Sequence, residues 1–119
     1  MRVGGIIQLK VNGELYSAKG SFDYDIGIPL KEGVVGMDRV HGYKETPQIP
    51  YIEGTITDSP ELSFEELAGT TDATVTLDLG NDKTIVLRNA WWASNSKGNS
   101  EEGEIEARFE GLSAEEIRP

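Results

Sequence analysis

The sequence predicts a mainly β protein: a small antiparallel β-sandwich or barrel with one short α-helix and a long extended loop or hairpin. Three observations carry this prediction. Short segments of apolar–polar alternation recur at near-regular spacing. Gly-, Asn- and Asp-bearing turns separate them. Only one stretch carries helix start and stop signals.

In chain order, Ile6 to Val11 (IIQLKV) sets Ile7, Leu9 and Val11 against Gln8 and Lys10, the pattern of a half-buried strand. Asn12-Gly13 is a hairpin signal, because both residues tolerate positive φ. Glu14 to Lys19 returns as the second strand. Ser21 to Ile28 (SFDYDIGI) gathers Phe22, Tyr24, Ile26 and Ile28 on one face, with Asp23 and Asp25 on the other, and Pro29 closes it. Tyr51 to Thr57 reads as a strand with Ile52 and Ile56 on one face. In DSPELSFEELAG, Ser63 and Glu66 fit a capping box, Leu62 a hydrophobic staple and Gly69 a stop, giving a helix of about two turns. Asp72 to Gly80 places Ala73, Val75, Leu77 and Leu79 inward. Lys83 to Ala93 (KTIVLRNAWWA) is apolar on both faces, as a central strand is. Ser94 to Gly103 is a polar loop. Glu104 to Gly111 alternates Ile105, Ala107 and Phe109 with Glu104, Glu106, Arg108 and Glu110. The tail, 112–119, is too short to fold alone. The total is six or seven short strands and one helix.

A chain of 119 residues predicts a single domain, 1–119, and a 37% hydrophobic fraction suffices for one modest core. With no cysteine, disulfides and thiolate metal sites are excluded. The first residues hold no apolar run long enough for a signal peptide or membrane span, so the protein is expected to be made and kept in cytoplasm. Net charge is −10, with 21 acidic against 11 basic residues, which opposes a grip on phosphate.

Catalytic constellations are absent from the pattern. Asp38, His41 and Glu45 have the spacing of a metal site on a helix, but Gly36, Gly42 and Pro47 argue against a helix there. No serine lies in a G-x-S-x-G elbow and no phosphate loop occurs. Trp91 and Trp92 are adjacent on a strand and therefore point to opposite faces, one of them into the core.

Two features remain. The segment 29–50 is long for a compact domain, yet carries Val34, Val35, Met37, Val40, Tyr43 and Ile49, followed by Tyr51. It either folds over its own sheet as a hairpin or docks on another chain. The second feature is a set of acidic strand faces, Asp23 and Asp25, Asp72 and Asp78, and Glu104, Glu106 and Glu110. These form one broad negative surface if their strands are neighbours.

The run EGVVGMDRVHGYKETPQIPYIEGTITD (Glu32 to Asp58) resembles the tail tube proteins of Mu-like contractile-tailed bacteriophages. The flanks LKVNGELYSAKGSFDYDIG and TDATVTLDLGNDKTIVLRNAWWA, with EGEIEARFEG beyond, extend the likeness collinearly from about Gly5 to Gly111. The tail after Gly111 departs from it. The resemblance implies a structural protein of the virion tail, assembled in host cytoplasm, with neither catalytic residues nor cofactor nor metal. It implies hexameric rings stacked into a hollow tube within a contractile sheath, with tail-tip or baseplate and length-setting proteins as further partners. DNA passes through the tube without specific binding, and no membrane is bound.

On that reading, Val34, Val35, Met37, Val40, His41, Tyr43, Pro47, Ile49, Pro50 and Tyr51 form an inter-subunit loop, with Pro47 and Pro50 stiffening it. Glu104, Glu106 and Glu110, then Asp23 and Asp25, line the lumen, where six copies at −10 give roughly −60 per ring. The plainer alternative sets these carboxylates against solvent or a neighbour's Lys10, Lys19 or Arg88. A competing function is a monomeric β-sandwich binding module, for example for carbohydrate, using Trp91 or Trp92.

Overall fold

A computed structural model describes residues 7–36, 38–60, 62–94, 98–99 and 103–118. In chain order the strands are β1 (Gln8–Val11), β2 (Glu14–Asp25), β3 (Leu30–Val35), β4 (Val40–Thr46) and β5 (Tyr51–Thr57). Then come helix α1 (Phe64–Ala68), β6 (Ala73–Asp78), β7 (Thr84–Trp92), β8 (Gly98–Asn99), β9 (Glu104–Glu110) and β10 (Ser113–Ile117).

Every pairing is antiparallel, and the sheet runs β10-β7-β6-β1-β2-β5-β9-β8. The far end of β7 also pairs with β9, Trp91 opposite Glu110 and Trp92 opposite Phe109. That contact closes β7-β6-β1-β2-β5-β9 into a six-stranded barrel, which removes most of the strand edges an open sheet would expose. β7 can hold a central place because both its faces are apolar: Ile85, Val86, Leu87 and Ala90 are all buried.

The alternation read from the sequence decides what the barrel encloses. Leu9, Ile52, Ile56, Leu77, Ile85, Leu87, Ile105 and Phe109 are fully buried, each contributing about 1.5–3 kcal/mol relative to exposure in water. Asn12 and Gly13 adopt φ of 51° and 84°, the positive pair a two-residue hairpin turn requires. The Asn12 side chain also accepts from the Thr74 N–H at 2.9 Å, tying that turn to β6. α1 starts where its capping signal lies: the Ser63 hydroxyl accepts from the Glu66 N–H at 3.2 Å. Leu67 is buried, and Leu62 and Phe64 pack on the core.

Three local expectations are corrected. β2 ends at Asp25 rather than Ile28. The Asp25 carboxylate accepts from the Gly27 N–H at 2.7 Å, Gly27 turns the chain at φ 80°, and Ile28 is left exposed. The tail is not a loose end: Ser113–Ile117 pairs with Arg88–Thr84 as β10, and Ala114 packs against the core. The loop after Ser94 contains β8, whose two residues pair with Glu104 and Ile105; 95–97 and 100–102 lie outside the described residues.

The segment between Pro29 and Pro50 forms a separate two-stranded sheet, β3 with β4. All residues of both strands are exposed. It therefore projects from the barrel instead of covering it. The radius of gyration is 17.3 Å, against about 13.5 Å for a compact domain of this length.

Candidate functional site

The projecting hairpin, hereafter the arm, is held by its own pairing. Lys31 stands opposite Glu45 and Glu32 opposite Lys44, two cross-strand pairs of opposite charge. The Lys31 ammonium lies 5.5 Å from the centroid of the Tyr43 ring. At the tip the Gly36 N–H donates to the Arg39 carbonyl at 2.8 Å. The ring of His41 lies where a Cβ on residue 36 would stand, so Gly36 is required for that contact. The arm's bases, Lys31, Arg39 and Lys44, balance its acids, Glu32, Asp38 and Glu45, so the net −10 sits entirely on the rest of the chain.

The structure places the predicted loop residues in three settings. Val34, Val35, Val40, His41 and Tyr43 are on the arm and exposed. Pro47 and Ile49 are exposed in the strand-free connection back to the barrel, and Met37 lies outside the described residues. Pro50 and Tyr51 belong to the barrel instead. Pro50 is buried, with its ring packed on Gly27, and Tyr51 begins β5 with the Arg108 guanidinium 4.1 Å from its ring centroid.

The acidic residues come together. β2, β5 and β9 are successive strands, and their register lines up Asp25, Tyr51, Glu110 and Trp91 in one outward row. The next row holds Asp23, Glu53 and Arg108, and the next Lys19, Thr55 and Glu106; Glu104 follows beside Thr57. The five carboxylates expected at the lumen share this face, whereas Asp78, on β6 between β7 and β1, and Asp72, which accepts from the Asn89 side chain, lie away from it, so the acidic strand faces do not form a single surface. Glu53, Arg108 and Lys19 complete the β2–β5–β9 face, and their signal was available as the polar phase of the alternation around Ile52 and Phe109. Arg108, on β9, reaches Glu53 of β5 at 2.9 Å and Glu110 of its own strand at 3.0 Å. Burial by itself lowers the Arg108 pKa, but its hydrogen bonds to Glu53 and Glu110 outweigh that and hold it above the ordinary value. Lys19 reaches Glu104 at 2.6 Å. Six carboxylates against two cations leave the face strongly negative. A shallow cavity of about 370 Å³ opens on it, lined by Glu53, Thr55, Ser94, Glu106 and Arg108 among others.

The two tryptophans part as adjacent strand residues must. Trp92 stands edge-on to Phe109, ring centroids 5.4 Å apart, and near Phe64 at 6.0 Å. Trp91 shares the outward row with Glu110. No group of three His, Asp or Glu side chains able to hold a metal ion occurs among the described residues.

Fold and surface define the class: a small closed β-barrel whose distinctive chemistry is a one-sided acidic face and an exposed, charge-balanced arm. The family model for phage tail tube proteins matches residues 1–116, and the chain belongs to that family. It is 32% identical over 102 residues to the tail tube protein of Escherichia phage Mu, covering 85% of this chain and 83% of that one. The resemblance read from the sequence is thus borne out. Among solved structures, the fold is similar to the tube-terminating cap of the anti-feeding prophage, with a TM-score of 0.66, 10% identity and coverage of 95% of this chain and 88% of that one. It is also similar to a chain of the PVC sheath–tube complex, an extracellular contractile injection system in its extended state, with a TM-score of 0.66, 12% identity and coverage of 96% and 89%.

Proposed function

We propose that this chain forms the inner tube of a contractile phage tail: hexameric rings stacked head-to-tail inside a sheath, with the β2–β5–β9 face lining the lumen. The observation that carries the reading is the gathering of Asp23, Asp25, Glu53, Glu104, Glu106 and Glu110 on one face. A wall of fixed negative charge repels phosphate, so a duplex slides past without condensing on it, the inverse of a binding groove. The arm suits assembly, since Val35, Val40 and Tyr43 are exposed in the isolated subunit and an obligate interface covers such groups. Arg108 and Lys19 hold the carboxylates in register without neutralising the face. The role is structural, in the virion tail, with no catalysis and no cofactor. Sheath protein outside, tail-tip proteins at one end and length-setting proteins are the expected partners, and the likeness to a chain of a sheath–tube complex supports the first.

Negative-stain microscopy over a concentration series tests this. Hollow rings and stacked tubes are expected. Particles that stay monomeric at every concentration, even with tail-tip complex added, overturn the proposal. A reconstruction with Glu106 on the outer wall overturns the lumen assignment alone.

A further inference from the structure

We propose that Asn12-Gly13 is a latent site of covalent modification, spontaneous deamidation through a cyclic imide, and that strand β6 clamps it shut in the folded chain. Every group involved lies within one subunit, so the site does not depend on the assembly proposed above.

The reactivity starts from the sequence. Of the asparagines Asn12, Asn81, Asn89, Asn95 and Asn99, only Asn12 is followed by glycine. Deamidation begins when the backbone nitrogen of the next residue attacks the side-chain amide carbon, and a glycine carries no side chain to hinder that approach. At Gly13 nothing lies within 4 Å of where a Cβ would stand, and both turn residues are exposed, so water and base reach them. In the first step the Gly13 nitrogen loses its proton and bonds to Cγ of Asn12, the Cγ–Nδ2 bond breaks, and ammonia leaves. In the second, a water molecule opens the imide ring at one of its two carbonyls. One opening gives aspartate. The other gives isoaspartate, in which the main chain runs through the former side chain and is one carbon longer.

The fold opposes the first step in two ways. The pairing of β1 with β6, which sets Val11 against Val75, continues one position further to Asn12 and Thr74. The Asn12 N–H donates to the Thr74 carbonyl at 2.8 Å. The Thr74 N–H donates in return to the Asn12 side-chain oxygen at 2.9 Å. The carboxamide that must swing onto Gly13 is therefore already held by the sheet, on the side of β6.

The backbone supplies the other restraint. Asn12 and Gly13 hold φ of 51° and 84° in a turn flanked by the pair Val11 and Glu14. Closing the imide ring requires rotation about the Asn12 Cα–C bond, one of the two soft torsions of that residue. That rotation would carry Glu14 away from Val11. Reaction waits on local opening of the turn, an event that costs less than unfolding the barrel. Once isoaspartate forms, the longer main chain no longer fits a two-residue turn, so a transient opening becomes permanent.

The test follows isoaspartate at position 12 by peptide mass spectrometry, in the folded chain and in the same chain unfolded in urea. The folded chain is expected to react at least about tenfold more slowly. Val11→Ala, which removes packing beside the turn, is expected to raise the folded rate at least about threefold, and Ile105→Val, on β9, to leave it unchanged. Equal rates in the folded and unfolded chains overturn the clamp, and so does equal acceleration by the two substitutions. In the unfolded chain, ammonia lost first from another asparagine, or no isoaspartate at position 12, overturns the site itself.

Discussion

The ring of Phe22 lies so close over Gly54 that a Cβ at position 54 would come within 2.5 Å of it. The register between β2 and β5 shifts between Lys19 and Asp23, with Gly20 at φ 73°. That irregularity turns Phe22 into the core, and Gly54 leaves the space it occupies. Gly54→Ala is expected to destabilise the barrel by about 1–3 kcal/mol in urea unfolding, and Phe22→Ala by about 3–5 kcal/mol. In the Phe22→Ala background the alanine at 54 should cost almost nothing further. Equal costs in both backgrounds would refute the contact.

Among the described residues the Trp92 indole N–H has no hydrogen-bond partner, so its contribution is the packing on Phe109 and Phe64. Trp92→Phe should therefore cost less than about 1.5 kcal/mol, since no hydrogen bond is lost. Trp92→Ala should cost about 3–5 kcal/mol. Similar losses for the two variants in thermal unfolding would mean the N–H matters after all.

Arg108 joins Glu53, Glu110 and Tyr51 on a partly exposed surface. Discounted for screening, Arg108→Met is expected to cost about 1 kcal/mol at low salt. The difference from wild type should shrink as salt rises and the Debye length falls. A salt-independent loss would point to packing by the side-chain stem instead.

Tyr16 titrates above its ordinary value, chiefly because burial disfavours the phenolate, with the charge of Glu14 adding to the effect. A raised folded pKa means the folded state holds the proton more tightly. Its stabilising contribution is full below the unfolded value near 10 and is lost as pH rises beyond it. Tyr16→Phe should leave neutral stability nearly unchanged and flatten the alkaline fall. An identical fall in the variant assigns it to another group.

Removing the arm, residues 30–46 replaced by a short Gly-Ser link, should leave a folded monomer, because none of its described residues belongs to the core. Tube formation should be abolished. Tubes that survive the deletion would end the assembly role of the arm.

Local pattern was enough to read β1, β5, β6, β7 and β9, the Asn12-Gly13 turn, the Ser63 cap and most of the inward set from Leu9 to Phe109, because alternation, turn chemistry and capping are local in the chain; β8, β10 and the pairing of β3 with β4 were not read. The sequence also carried family membership, through the run from Glu32 to Asp58. It left open which strands pair, and that choice is non-local. Asp23, Glu53 and Glu106 form one face only because β2, β5 and β9 are neighbours in a particular register. Ser113–Ile117 becomes ordered only because β7 offers it an edge. Pro50 was read with the loop, but its burial depends on Gly27, which lies 23 residues away in sequence. That the arm stands free was likewise a tertiary outcome, since it leaves after β2, rejoins at β5 and has both its strands exposed.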